Sequence, residues 1–106
     1  MKELSDTALN LVARRFKALS EPIRLQLVMA VMAGEKSVGE LVELSGAHQA
    51  NVSRHLHTLA DAGLLKRRKE GLHVYYSIAD STIFDLCELV CGSVEDYLKT
   101  QVDAFG

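Results

Sequence analysis

The two cysteines of this sequence, Cys87 and Cys91, carry its most distinctive chemistry and stand four positions apart. On a helix this spacing places both side chains on one face, with their Cβ atoms about 5–6 Å apart. Two thiolates so placed suit one soft metal ion, whereas an unstrained disulfide needs closer Cβ atoms. Reversible oxidation or persulfidation is a second chemistry for such a pair. Core packing is the third interpretation, because cysteine is among the most buried residue types.

A metal site on this pair would be incomplete within one chain, because a trigonal thiolate site for As(III) needs a third sulfur. The missing ligand would come from a second copy of the chain, or from an oxygen ligand such as Asp80, Glu88 or Glu95. The candidate ions are the thiophilic As(III), Cd(II) and Zn(II).

A second group of candidate functional side chains forms hydrogen bonds and lies in residues 48–57, which read HQANVSRHLH. A helix through this segment turns Val52 and Leu56 inward and leaves its polar residues exposed. Gln and Asn can form bidentate hydrogen bonds with adenine and Arg with guanine, each worth about 1–3 kcal/mol of discrimination between bases. The predicted base-contacting residues are Gln49, Asn51, Ser53, Arg54 and His57.

The densest positive patch is the run of four basic residues at positions 66–69. The net charge of −2 is unevenly divided, because residues 1–79 carry +3 and residues 80–106 carry −5. DNA affinity that is independent of sequence comes from Lys and Arg near phosphates, so the local charge matters more than the total. Gly71 would allow close backbone approach, and the predicted phosphate contacts are Arg68 and Lys69.

The elements that must position these groups follow from hydrophobic periodicity, which predicts helices at 6–19, 23–32, 37–44, 48–62 and 81–102. Ser20 is a candidate cap for the second helix, with Pro22 in its first turn. That second helix is apolar almost all round and is expected to be the central core helix. Ser37 and Glu40 have the spacing of a capping box. Two short helices joined at Ser45-Gly46 form a helix-turn-helix.

Strand periodicity replaces helical periodicity after position 63. Residues 64–69 and 72–78 flank the turn signal Glu70-Gly71, and Val74, Tyr76 and Ile78 alternate with more polar neighbours. This pattern predicts a β-hairpin that carries the basic run. The predicted fold is therefore mainly α with a β-hairpin wing, in the order ααααββα: a single winged helix-turn-helix domain over residues 1–106.

Length and composition exclude several other classes of protein. With 106 residues, 48% of them hydrophobic, the chain has room for one domain with a modest core. No apolar run approaches the roughly 20 residues of a membrane span, and the first residues lack a signal-peptide pattern. We therefore predict a cytoplasmic protein with no membrane partner. No phosphate-binding glycine loop, nucleophile elbow or HExxH motif is present, which predicts that it is not an enzyme.

Three segments resemble the ArsR/SmtB family of metal-responsive bacterial repressors: FKALSEPIRLQL (16–27), NVSRHLHTLADAGLL (51–65) and KEGLHVYYSI (69–78). The resemblance implies a homodimer joined through the first and last helices, which binds an inverted-repeat DNA operator and is released by an inducer. The last helix supports a dimer independently, because it has more apolar surface than so small a body can cover.

The metal motifs of that family are only partly present. Ser37 and Gly39 stand where arsenic and cadmium/lead sensors have a Cys-x-Cys pair. Asp80 matches the first ligand of the zinc and nickel/cobalt sensors, but Thr82 replaces the following His. Ser93 and Asp96 stand where the downstream His pair would lie.

The sequence therefore predicts a DNA-binding transcriptional repressor whose inducer, a thiophilic metal or metalloid, is sensed at Cys87 and Cys91. One alternative is a thiol-redox or reactive-sulfur sensor of the same fold, which would use the same two cysteines. Another alternative is a winged-helix module that binds proteins. The polar exposed side of residues 49–54 argues against that module, since a protein-docking face would be expected to show apolar residues there.

Overall fold

The structure is a computed structural model that describes residues 3–105 and the side-chain environments of residues 3–103. Five helices and three short strands follow one another in the chain: α1 (Asp6–Ala18), α2 (Pro22–Met32), β1 (Lys36–Ser37), α3 (Val38–Ser45), α4 (Gln49–Asp61), β2 (Leu65–Glu70), β3 (His73–Ile78) and α5 (Thr82–Phe105). The predicted winged helix-turn-helix order is confirmed. The predicted single domain over 1–106 includes residues 1, 2 and 106, which lie outside the described residues.

Helix starts are set by local hydrogen bonds, and one prediction about them is wrong. Ser20 does not cap α2: its hydroxyl donates to the carbonyl of Lys17 at 2.7 Å, and Glu21 holds the cap position without a side-chain hydrogen bond. Pro22 does begin the helix, where its missing N–H costs nothing. The capping box of α3 is confirmed, with both hydrogen bonds between Ser37 and Glu40 at 3.1 Å.

The geometry of the helix-turn-helix is set by a glycine in its turn and by a row of buried side chains on α4, which we call the buried seam. Gly46 ends α3 in the left-handed region, at φ 70°, which favours glycine because it has no Cβ. Helix α4 then buries Val52, Leu56 and Leu59 completely, at 0% exposure, as its periodicity predicted. This buried seam fixes which face of α4 is exposed.

The wing is part of a three-stranded antiparallel sheet in the order β1-β3-β2. The two-residue strand β1 was not predicted, because two residues are too few to show an alternation. It pairs with β3 and places Lys36 opposite Tyr76. In the hairpin, Glu70 pairs with His73, so that Gly71 and Leu72 form the turn.

Helix α2 is less central than its composition suggested. Leu27, Val28 and Val31 are buried, but Leu25 is 39% and Met29 53% exposed, so one side of the helix lies at the surface. The helix expected to be the central core helix therefore contributes to the core from one side only. The core is shared among α2, α3, α4 and the sheet instead, with Leu41, Tyr76 and the seam of α4 at its centre.

The terminal helices expose much of their apolar surface. In α1 only Ala18 is buried, and among residues 82–103 of α5, whose side chains the structure describes, only Ile83 and Cys87 are. The exposed apolar side chains of these two helices are Leu9, Leu11, Val12, Phe16, Phe84, Leu89, Val90, Val94, Tyr97, Leu98 and Val102. None of the helices in the described part of the chain has both the length and the apolar composition that a membrane crossing requires.

Candidate nucleic-acid interface and thiol pair

The exposed face of α4 borders a cleft shared with the wing. Gln49, Ser53 and His57, which follow one another at a spacing of four residues, line one side of it. Arg67, His73 and Tyr76 of the sheet line the other side, and residues 37–39 at the start of α3 close one end. The cleft has a volume of about 260 Å³ and its lining is mainly polar. The structure thus brings three of the predicted base-contacting residues together beside the wing.

The other two predicted base-contacting residues pair with each other. The Arg54 guanidinium donates a hydrogen bond to the side-chain oxygen of Asn51. Arg54 is exposed and Asn51 is half-buried. Each of the two side chains therefore satisfies part of its hydrogen-bonding capacity within the chain, and base contacts would have to replace or extend this pair.

His55, on the opposite side of α4, is buried at 6% exposure and joins three elements. Its Nδ1 lies 3.1 Å from the Arg24 guanidinium, which also donates to the carbonyl of Ala18 at the end of α1. Arginine can only donate, so His55 accepts at Nδ1 and carries its proton on Nε2. Burial lowers the pKa of His55, and the charges of Arg24 and Arg54 lower it further against the opposing effect of Glu21. His55 is therefore a neutral joint between α1, α2 and α4.

The two predicted wing residues differ in their surroundings. Arg68 forms ion pairs with Glu35 at 2.8 Å and with Glu70, and its guanidinium lies 4.5 Å from the centre of the Tyr75 ring. The pKa of Glu35 is lowered by this hydrogen bond. Lys69 is exposed and pairs across the hairpin with Val74.

Arg67 was not singled out from the sequence, although a signal was present. Side chains of a strand alternate between its two faces, and Arg67 lies opposite the buried Tyr76, on the face that packs towards α4. Arg68, one position on, must point to the other face. The alternation of Val74, Tyr76 and Ile78 would have assigned both arginines if it had been carried across the hairpin.

The thiol pair lies where α5 leaves the body of the protein. Cys87 is 8% exposed and belongs to the hydrophobic core, while Cys91, one turn further, is exposed, and both thiols are free. Burial raises the pKa of Cys87, and the neighbouring Cys91 raises it further. The packing interpretation therefore describes Cys87 in this chain but not Cys91.

Asp80, the residue that matches one family metal ligand, has a structural role here. It accepts hydrogen bonds from the backbone and hydroxyl of Thr82 at 3.0 and 2.7 Å, and it forms an ion pair with Arg15 of α1. These contacts, with Thr82 first, lower the pKa of Asp80. Within the described residues, no three His, Cys, Asp or Glu side chains cluster in a way that could hold a metal ion.

Comparison with known proteins agrees with this architecture. Residues 21–67 match the family described as "Bacterial regulatory protein, arsR family". The homodimeric winged helix-turn-helix domain of a possible ArsR-family regulator from Mycobacterium bovis superposes with a TM-score of 0.81 at 32% identity, covering 94% of this chain and 95% of that domain. The chain belongs to the ArsR family. The family match runs from the residue before α2 into β2, and the superposition covers nearly the whole chain.

Two curated relatives of this ArsR-family chain are named for metal resistance. A probable mercury resistance operon repressor from Streptomyces lividans is 40% identical over 77 residues, which cover 73% of this chain and 62% of the relative. A cadmium resistance regulatory protein homolog from Staphylococcus aureus is 37% identical over 78 residues, covering 73% of this chain and 64% of the relative. The chain thus matches less than two thirds of the length of each of these relatives.

Proposed function

We propose that this protein is a transcriptional repressor that binds an inverted-repeat DNA operator as a homodimer. The observation that carries the proposal is the polar exposed face of α4, held beside a basic wing by a fully buried seam. Gln49, Asn51, Ser53, Arg54 and His57 read bases in the major groove, and the wing lies along the phosphates with Lys69. The second predicted wing contact, Arg68, would have to exchange Glu35 and Glu70 for phosphate.

The dimer in this proposal uses the apolar faces of the terminal helices. Helix α5 has 24 residues, so it is about 36 Å long and extends well beyond the body. Val90, Val94 and Leu98 are each at least half exposed along one side of it. A second copy of the chain would cover them, and the similar domain from M. bovis is a homodimer. The proposed domain is then one winged helix-turn-helix flanked by dimerisation helices.

The proposed sensor is the Cys87 and Cys91 pair, with a thiophilic metal or metalloid ion as inducer. The helical spacing places Cys91 on the same side of α5 as Val94 and Leu98, so a dimer that covers these two residues would bring Cys91 towards the partner. Two thiols per chain would then provide up to four sulfur ligands. The names of the mercury and cadmium relatives support a soft ion as inducer. Metal binding would have to displace the proton of Cys87, whose pKa burial raises.

A thiol-redox or reactive-sulfur sensor is the second candidate, and the unequal exposure of the two cysteines favours it. Cys91 is exposed and would react first with an oxidant or a polysulfide, and Cys87 lies one turn away to resolve the product. A disulfide between them would distort α5, because helix geometry holds the Cβ atoms farther apart than a disulfide allows. The distortion itself would then be the signal.

One titration tests repression, sensing and the choice between the two chemistries. Fluorescence anisotropy of the reduced protein on its own upstream DNA is measured alone and with As(III), Cd(II), Zn(II) or a polysulfide. We expect tight binding that a thiophilic ion reverses in the wild type but not in Cys87→Ser or Cys91→Ser. Ser93→Ala, an exposed position on the same helix, serves as the matched control.

The outcomes separate the parts of the proposal. Release by polysulfide alone, reversed by dithiothreitol, would replace metal sensing with the thiol-redox alternative. Release by an ion that persists in both cysteine variants would contradict the sensor site. No binding to upstream DNA, at any salt concentration at which the protein remains folded, would contradict the repressor itself.

A further inference from the structure

The wing has two electrostatically different faces, although its sequence carries four consecutive basic residues. The hairpin register pairs Lys66 with Ser77 and Arg68 with Tyr75, so these two cations share the outer face. Glu35 and Glu70 both contact Arg68 on that face, which leaves it with equal numbers of cations and carboxylates. The positive charge of the outer face is therefore largely neutralised within the chain.

The inner face differs in charge and in surroundings. Arg67 and Lys69 lie opposite Tyr76 and Val74, which pack on the core side of the sheet. No carboxylate in the described part of the chain forms an ion pair with Arg67 or Lys69. Both basic residues of this face are therefore available to an external anion, and of the two only Arg67 lines the cleft beside α4, where it also contacts Tyr76.

We propose that the cleft between α4 and the wing is a binding site for a phosphate of the DNA backbone, with Arg67 as its cation and Arg68 as a structural clamp of the wing. This proposal specifies one phosphate contact of the proposed DNA-binding function, and it rests on that function. Gln49, Ser53 and His57 line the opposite wall, so a strand that follows the exposed face of α4 passes the Arg67 guanidinium. A planar guanidinium can bind a phosphate through two parallel hydrogen bonds.

The clamp assigned to Arg68 explains why a cation there need not touch DNA. Glu35 lies just before β1, so the Arg68–Glu35 pair joins the β2 edge of the wing to the loop after α2. The contact with the Tyr75 ring holds the guanidinium over the outer face of β3. Moving Arg68 onto a phosphate would leave both Glu35 and Glu70 unpaired beside a polyanion, which is unfavourable.

The test compares two adjacent arginines of equal charge. Operator and unrelated DNA are titrated with wild type, Arg67→Gln and Arg68→Gln by anisotropy over a series of salt concentrations. A lost phosphate contact lowers the slope of log K against log salt by about 0.9, whatever the DNA sequence. We expect that loss, with an equal fold-weakening on both DNAs, for Arg67→Gln. Arg67→Lys should keep the slope, because it keeps the charge.

Arg68→Gln should retain the wild-type slope while lowering the melting temperature of the protein, and Arg67→Gln should leave that temperature unchanged. The double variant Glu35→Gln/Arg68→Gln removes the clamp at constant net charge and should also keep the slope. A slope reduced by Arg68→Gln but not by Arg67→Gln would overturn the assignment. Wild-type protein that binds no DNA would overturn the proposed function itself, a result distinct from an unaltered slope in Arg67→Gln.

Discussion

The winged-helix body from α2 to β3 and the two terminal helices differ in how much of their apolar surface is buried within one chain. The body closes its own core: Leu41, Val52, Leu56 and Leu59 are 0% exposed. Helix α5, by contrast, buries only Ile83 and Cys87 among its described side chains, which end at residue 103. The same types of apolar residue occur in both regions, so composition does not explain the difference.

The two regions therefore differ in which contacts can stabilise them, those within one chain or those between two chains. The body is stabilised by contacts within one chain, so its stability should not depend on protein concentration. The exposed apolar sides of α1 and α5 would gain stability only from a partner, as in the proposed homodimer. The thiol pair lies at the boundary, with Cys87 in the body and Cys91 beyond it. A ligand that draws the two thiols together would therefore act on both regions.

The largest expected effect separates the two regions by a pair of leucines. Leu56→Ala empties a fully buried position in α4 and should cost about 2–5 kcal/mol of unfolding free energy. Leu98→Ala, at 55% exposure in α5, should leave the body intact but weaken association by about 1.5–3 kcal/mol if the dimer buries it. Urea unfolding at several protein concentrations, with sedimentation equilibrium, measures both.

The comparison fails if Leu98→Ala destabilises the chain as much as Leu56→Ala does and equally at every protein concentration. That result would place Leu98 in the fold of one chain. A wild-type protein that sediments as an 11.7 kDa species at micromolar concentration would contradict the dimer directly.

How far the sequence predicted these regions follows from the range of the interactions. The capping box at Ser37 and the buried side of α4 are local patterns, and both are confirmed. The pairing of β1 with β3 joins residues far apart in sequence, and two residues show no period, so this strand was not predicted. The exposed side of α2 depends equally on what packs against it.

In the candidate DNA interface and thiol pair, too, local patterns could be predicted and long-range contacts could not. The exposed polar face of α4 could be predicted because helical periodicity is local. The ion pair of Arg68 with Glu35 could not, since 33 positions separate them and only the folded sheet brings them together. Cys91 shows a third limit, because it is exposed in one chain and its contacts in the proposed homodimer depend on how two copies of the chain pack, which no local pattern describes.

A smaller effect is expected at the joint between the body and α1. The unfolded chain takes up a proton at His55 as the pH falls through about 6.5, whereas the folded chain resists it because burial lowers the pKa of His55. Stability is therefore retained above pH 6.5 and lost as the pH falls towards the lowered folded value. The slope from this one group is at most about 1.4 kcal/mol per pH unit.

His55→Asn tests this pH dependence. The amide oxygen of Asn can still accept from Arg24, but the side chain does not titrate. Thermal unfolding of both proteins between pH 7.5 and 5.0 should show a smaller loss of stability for His55→Asn. The exposed His48, His57 and His73 are present in both proteins, so the difference between them reports on His55 alone. Equal pH slopes would mean that folding does not lower the pKa of His55, which would contradict the effect of its burial beside Arg24.

The smallest effect compares the same hydrogen bond in the two regions. Ser37 caps α3 through the N–H of Glu40, and Ser5 caps α1 through the N–H of Ala8, at 3.1 and 3.2 Å. Loss of such a cap costs about 1 kcal/mol where helix and body unfold together. Ser37→Ala should therefore lower the global unfolding free energy by that amount, since α3 adjoins the core. Ser5→Ala should lower it by less than about 0.5 kcal/mol, because the start of α1 can fray while the body remains folded.

Native-state hydrogen exchange shows the difference: Ser5→Ala should increase exchange within the first turns of α1 only, and Ser37→Ala should increase it throughout the core. Equal losses from the two substitutions would mean that α1 unfolds cooperatively with the body, and the division between the two regions would then lie at α5 alone.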